Sequence, residues 1–318
     1  MYPLVSVICL CYNHKCFLLE ALDSVVNQTY PNLEILVVDD ASTDTSPALL
    51  QQYQALHPEI KLILHQKNTG NCQAFNEAFA QSAGEYIIDF ATDDVLLPNR
   101  ITEQVKAFAQ LDKTFGIIYT DAELIDKNSR FIRHFYKRNA QGKIPGLPPS
   151  GDVFTAILSQ SFLCPPTMIF RRAVYDALNG YDATLAYEDF DFWVRAAREY
   201  KFFFLDQITT RRRLHPNSLS RQAYKPHDRQ LASTVAVCYK AFKLIRTPAE
   251  KQALIVRVRS ELRQAYFTQN FPEANKLLIL LQQLETPPWP YQMLGWFNHH
   301  KIKLRFLRDL YYRLYHRA

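Results

Sequence analysis

Residues 84–100 read GEYIIDFATDDVLLPNR. The run from Glu85 to Phe90 has the content of a buried strand. Two adjacent carboxylates, Asp93 and Asp94, follow it at once. At an effective dielectric of about 20, two like charges roughly 4 Å apart repel by roughly 4 kcal/mol. A chain leaving a core sets them side by side where water, a cation or a hydroxyl-rich partner offsets that repulsion.

On either side the chain alternates strand and helix. LVSVICL (4–10), LEILVV (33–38), KLILH (61–65), EYIIDF (85–90) and FGIIYTD (115–121) are predicted strands. CFLLEALDSVVNQ (16–28) and RITEQVKAFAQL (100–111) carry apolar residues at helical spacing. Ser46 and Pro47 predict an N-cap and a first-turn proline for ALLQQYQAL. AFNEAFAQSA (74–83) reads as a helix ended by Gly84. The alternation predicts an α/β fold with a mainly parallel sheet and helices on both faces. Residues 122–150 read as a loop and a candidate lid. Helical signals return over 151–205, including EDFDFWVRAAREY, and again from 226, with TPPWP (286–290) as a break.

Ligands of such sheets bind outside the carboxyl ends of the strands. Here the first four strands run into CYNH, DDAS, QKNTG and ATDD. There is neither a G-x-G-x-x-G after the first strand nor a P-loop. A site built of acids holds phosphates by way of a metal, and Mg²⁺ takes one or two carboxylates plus phosphate oxygens. The 318 residues carry a formal charge of +6, which suits an anionic small ligand or membrane surface and is too small to argue for nucleic acid. The six cysteines include no C-x-x-C pair, and Cys9 and Cys11 are expected to pack on one face of a strand. With no signal-peptide pattern and no apolar run of bilayer length, the expectation is a soluble, cytoplasmic protein, at most peripheral at a membrane.

PLVSVICLCYNH, LEILVVDDASTDTS, KNTGNCQAFNEAFAQSAGEYI, ATDDVLLPNR, GYDATLAYEDFDFWVRAA and RRRLHPNS occur in that order. Together they resemble the family 2 glycosyltransferases, over about residues 3–220. The resemblance implies a GT-A fold over 1–225, with a nucleotide-sugar half (1–121) and an acceptor and catalytic half (122–225). A helical region, 226–318, follows. It implies inverting transfer of a sugar from a nucleoside-diphosphate donor, UDP-sugar favoured, to a hydroxyl of a glycan or lipid-linked acceptor in cell-surface polysaccharide synthesis. Mn²⁺ or Mg²⁺ is the implied cofactor. Tyr12 occupies the position that stacks on the base, with Asn13 beside it. Asp40 matches the acid that bonds the base, with Asp39 adjacent. Asn68, Gly70 and Asn76 match the loop and helix after the third strand. Asp94 would hold the metal, and Asp93 the ribose or the metal. His215 matches a histidine near the diphosphate or metal. Asp189 is the implied base, with Glu188 next. Two positions depart from the common pattern: Thr92 stands where many members carry an acid, and Phe75 where many carry arginine. On a helix Glu188 and Asp191 share a face that Asp189 does not. Arg211, Arg212 and Arg213 suit either diphosphate neutralisation or an exposed basic loop.

The last segment places Ile302, Phe306, Leu310 and Leu314 at near-helical spacing among Lys and Arg. It suits an interfacial helix on anionic lipid, a docked helix or a dimer contact. Two other functions compete. A sugar nucleotidyltransferase would carry a Gly-rich, basic loop where LCYNHKC stands. A non-catalytic glycan-binding scaffold would not need Asp40, Asp94 and Asp189 together.

Overall fold

The structure, a computed structural model, describes residues 2–216, 218 and 224–304. It divides into two compact units, one of Met1–Val153 and Phe162–Gln222, the other of Phe154–Ser161 and Ala223–Ala318.

In the first unit β1 (Val5–Cys11), α1 (Leu18–Val26), β2 (Leu33–Asp39), α2 (Ser46–Leu56), β3 (Lys61–Leu64), α3 (Asn71–Ala80) and β4 (Tyr86–Ala91) alternate as expected. Then come β5 (Val95–Leu96), α4 (Arg100–Phe108), β6 (Phe115–Ile125) and β7 (Phe131–His134). The second unit takes α5 (Phe154–Ser159) from mid-chain. The first unit resumes with β8 (Ile169–Arg171), α6 (Arg172–Ala177), α7 (Asp189–Ala196) and β9 (Lys201–Arg213). The second closes with α8 (Arg229–Leu244), α9 (Pro248–Phe267), α10 (Phe271–Leu284) and α11 (Trp289–His299).

The sheet order is β3-β2-β1-β4-β8-β6-β9-β5, with β7 on β6. It is mixed. The β3 to β4 stretch is parallel, β8 runs antiparallel to both neighbours, and β6 and β9 are parallel to each other. The chain builds outward from β1 to β3 and returns on the other side of β1 as β4. That reversal puts a switch point between the carboxyl ends of β1 and β4. All seven residues of β1 are buried, as a strand covered on both faces requires. One face packs Val5, Val7, Cys9 and Cys11 against Leu18 and Leu22 of α1 and Ile101 and Phe108 of α4. The other face carries α3 and an aromatic cluster of Phe75, Phe170, Tyr175, Tyr181 and Phe192. Phe75 thus fills core. Cys9 and Cys11 are free thiols, and burial pushes Cys11 up to about 11.

Four local expectations change. The first part of the predicted 122–150 loop is instead the continuation of β6 and a hairpin with β7, while 135–150 holds no helix or strand. Its polar look misleads because Asp121 is buried yet satisfied by Arg138 Nε and the N–H groups of Ala122 and Tyr136. Residues 201–213 form a strand, and its Phe202–Phe204 run suits one. At α2 the N-cap is Thr45, and Asp44 Oδ1 takes the N–H of Ser46 at 2.8 Å. Helix α3 starts at Asn71 and stops at Ala80, so Gly84 is not its cap. Gly84 is glycine because β1 comes close: a Cβ there would lie 2.4 Å from Ser6 N.

In the second unit α9 opens with a capping box between Thr247 and Glu250, and α8, α9 and α10 share a leucine-rich core. The break falls at 285–288, between α10 and α11, and Trp289 and Pro290 of the predicted break open α11. Phe306, Leu310 and Leu314 lie outside the described residues.

Forcing a methyl into a backbone contact costs about 1–3 kcal/mol. Gly84→Ala is therefore expected to lower the urea midpoint with an unchanged m-value. An unaltered midpoint would contradict the close approach.

Candidate functional site

The end of β1 builds the first wall. Tyr12 leaves the strand exposed. Asn13 follows in the left-handed region at φ 59°. Its Oδ1 accepts from the N–H groups of Thr43 and Asp44, at 2.8 and 3.3 Å, and its own N–H donates to Ser42 Oγ. Asn13 therefore ties the loop after β1 to the loop after β2 and fixes the base of Tyr12.

The two acids after β2 differ. Asp39 is 1% exposed. Its Oδ1 accepts from Ser42 N, and its Oδ2 is buried without a partner. Asp40 is saturated: Oδ1 takes Thr69 N, Thr69 Oγ1 and His65 Nδ1 at 2.8–2.9 Å, and Oδ2 takes Gly70 N at 2.8 Å. Burial works to raise the Asp40 pKa, but the Thr69, His65 and Gly70 bonds outweigh it and hold the carboxyl below its usual range. Asn68 Nδ2 donates to the Asp40 carbonyl. Gly70 caps α3 at φ +88°, a conformation that favours glycine. The structure thus brings Asp40, Asn68 and Gly70 together as a clasp on the loop after β3. Asn76 sits apart: its amide bonds both backbone groups of Tyr181 and the Tyr175 hydroxyl.

The carboxyl end of β4 faces the end of β9. Parallel register sets Leu10 beside Ala91, so the residues after β1 and β4 emerge together. Thr92 is buried and bonds His14 Nδ1 at 2.9 Å and the Leu10 carbonyl. Asp93 Oδ2 lies 3.0 Å from His215 Nε2. Asp94 Oδ1 accepts from Arg213 N at 2.7 Å. Burial, with the Asp93 charge behind it, pushes Asp94 well above the ordinary carboxylate range. Burial also works to raise Asp93, but the hydrogen bond from His215 and the charge of His14 bring it down. The arginine triplet ends β9 and is no loop. Arg211 pairs with Glu123 at 2.9 Å. Arg213 is buried and pairs with Glu20 at 2.7 Å. Arg212 is the member whose charge acts on both Asp94 and Asp189.

Third, the acids of α7. Glu188 is the N-cap, and Asn71 Nδ2 donates to its Oε2 at 2.6 Å. Asp189 opens the helix, and burial first, then the Glu188 charge, pushes its pKa well up. Asp191 pairs with Arg195 at 2.7 Å, so the face it shares with Glu188 serves packing. Asp89 of β4 joins the cluster: burial, Glu188 and Asp189 raise it, while a 3.0 Å bond from Tyr181 OH opposes them. Sequence reasoning missed Asp89, Asn71 and Tyr181. Only Asp89 carried a signal, as an acid interrupting the apolar strand EYIIDF.

Among the described residues no group of three or more His, Cys, Asp or Glu forms a metal cage. Asp93 and His215 form a pair, and Asp94 follows Asp93 in the chain with its Oδ1 on the Arg213 N–H. Hard divalent cations take one or two carboxylates and complete their shell with phosphate oxygens and water, so a pair of acids is the minimum such an ion would need here.

The pattern of Glycosyl transferase family 2 matches residues 6–178. An uncharacterized glycosyltransferase of Rickettsia typhi is 30% identical over 215 residues, covering 67% of this chain. The match spans 64% of that relative's length. Among solved structures, Staphylococcus aureus TarS 1–349 in complex with UDP superposes with a TM-score of 0.68 at 17% identity, over 97% of this chain and 91% of that one. A mannosyltransferase of Pyrobaculum calidifontis in complex with GDP-Man and Mn²⁺ gives 0.62 at 16% identity, over 100% and 89%. These likenesses establish the fold.

Asp40 titrates below its unfolded value, so it contributes stability above the unfolded carboxylate pKa, about 4, and that share is lost as pH falls through the folded pKa. Asp40→Asn is expected to be less stable than wild type at pH 7, with the gap closing below about pH 4. Thermal melts across pH check this, and a gap that persists at low pH would contradict it.

Proposed function

We propose that this chain, which belongs to glycosyl transferase family 2, moves a sugar from a nucleoside-diphosphate donor to an acceptor hydroxyl with inversion at the anomeric carbon. One observation supports the reading most: the carboxyl ends of β1 and β4 emerge side by side and set Asp93 and Asp94 against His215 and the end of β9, in a chain whose residues 6–178 match the family pattern.

The roles follow from position. Exposed Tyr12 offers its ring to the nucleobase, and the unpartnered Asp39 Oδ2 offers an acceptor to a base N–H. Asp40, Asn68 and Gly70 shape this subsite by holding their loop. Asn76 acts elsewhere, holding the backbone of Tyr181, whose hydroxyl bonds Asp89. Asp93, Asp94 and His215 would hold Mn²⁺ or Mg²⁺, which supplies Lewis-acid neutralisation of the leaving diphosphate. Arg212 adds a fixed positive charge for the same phosphates. Asp189 takes the proton of the acceptor oxygen as that oxygen attacks. A carboxylate with a raised pKa suits this work near neutral pH. Burial, with the charge of the Asn71-held Glu188 behind it, keeps the Asp189 pKa high. The Asp189 carboxylate needs no covalent link to the sugar in a single displacement.

A UDP-sugar is the donor we favour, because the TarS complex holds UDP; the mannosyltransferase complex with GDP-Man keeps a GDP-sugar open. The acceptor we infer is a glycan or lipid-linked saccharide of a surface polysaccharide, met at the cytoplasmic face. No helix among the described residues is long and apolar enough to cross a membrane. The nucleotidyltransferase reading lacks its basic glycine loop after β1, and a scaffold would not need a high-pKa acid beside Arg212.

Donor turnover followed by NMR tests the proposal. Wild type is expected to form a product of inverted anomeric configuration. Asp189→Asn should lose about 10²–10⁴-fold in kcat while keeping donor affinity. The acid limb of kcat should fall above the ordinary carboxylate range of about 4. Retained configuration, or an undiminished Asp189→Asn rate, would overturn the assignment.

A further inference from the structure

Helix α11 is inverted relative to an ordinary surface helix. Tyr291, Gly295 and Asn298 lie on its inner side. Asn298 is buried, and its Nδ2 donates to the Phe271 carbonyl at 3.1 Å. A Cβ at Gly295 would sit 3.6 Å from both methyls of Leu278. Arg263 bonds the Tyr291 hydroxyl, and the Arg259 guanidinium lies 5.4 Å from its ring. The inner side thus mixes hydroxyl and amide groups with half-buried Leu294 and the Gly295–Leu278 contact. The outer side carries Trp289, Met293 and Trp296, which are 70%, 46% and 58% exposed. Spacings of four and three residues put all three on one stripe.

Basic groups adjoin the stripe. His299, His300, Lys301 and Lys303 follow it and are exposed. From Trp289 to the last residue the sequence holds Lys301, Lys303, Arg305, Arg308, Arg313 and Arg317 against one acid, Asp309. A tryptophan stripe joined to cations has the chemistry of a bilayer interface, where indole rings sit at headgroup depth and cations meet anionic lipid.

We propose that the Trp289–Met293–Trp296 face of α11 seats on an anionic lipid surface. Charge selects this occupant. A second copy would bring a like set of cations against the first, whereas anionic headgroups neutralise them. The proposal stands independently of the donor-site reading. It also shifts the membrane contact expected of the last segment onto a helix whose exposed face is defined.

The full chain has three tryptophans, and the third, Trp193, is buried. Trp193 is already out of water, so a blue shift of emission on binding reports on the two tryptophans of this face. We would sediment the full-length protein with vesicles of phosphatidylcholine alone and of phosphatidylcholine mixed with phosphatidylglycerol. The expected result is binding to the mixed vesicles, weakened by salt, with a blue shift of emission. Trp289→Ser with Trp296→Ser should weaken that binding by at least about tenfold at an unchanged melting temperature. Lys301→Glu with Lys303→Glu should weaken it too, leaving any residual binding to pure phosphatidylcholine as it was. Absence of binding to the mixed vesicles would overturn the proposal. So would a tryptophan double variant that binds like wild type, or a dimer broken by that variant in a chain that ignores vesicles.

Discussion

The guanidinium of Arg213 is the joint on which the catalytic unit depends. It is 2% exposed. Its Nε donates to the Asp93 carbonyl, one terminal nitrogen reaches the Asp126 carbonyl and Ser129 Oγ, and the other pairs with Glu20. Its backbone N–H meanwhile holds Asp94 Oδ1. A buried cation is tolerated when it is paired and its donors are satisfied. Meeting that condition draws the end of β4, the turn of the β6–β7 hairpin and α1 to the end of β9. The position of the acids is thus set by a residue that itself serves the scaffold.

The same logic separates the neighbouring arginines. In a strand successive side chains alternate faces. Arg211 and Arg213 share one face and find Glu123 and Glu20. Arg212 lies on the other face, and its charge works to lower the pKa of both Asp94 and Asp189. Burial raises Asp94 and Asp189, while the bond from His215 brings Asp93 down, so neighbouring acids differ in their readiness to ionise.

Local pattern made the first half of the fold legible. β1, β2 and β4 are apolar runs bounded by turn residues, and α1 and α4 carry clear helical periodicity. The hairpin and β9 were harder, because Asp121, Thr209 and Thr210 are polar yet buried, and their partners come from far along the chain. At the site, sequence named the acids but not which were already engaged. Asp40 and Asn76 spend their hydrogen bonds on the protein itself, while Asp39 leaves one buried oxygen without a partner. Asn71 and Tyr181 drew no notice because their roles need contacts across about a hundred residues of chain. Helix α11 shows the converse: its stripe was in the sequence, but only packing reveals that the stripe faces outward.

The central claim is that the end of β4 holds a diphosphate through a divalent cation. Calorimetric titration of the full-length protein with UDP and with GDP, in Mn²⁺, in Mg²⁺ and in EDTA, tests it most directly. The account predicts that one nucleotide binds with either metal and that EDTA abolishes the heat. Binding of equal strength in EDTA, or none under any condition, would contradict it.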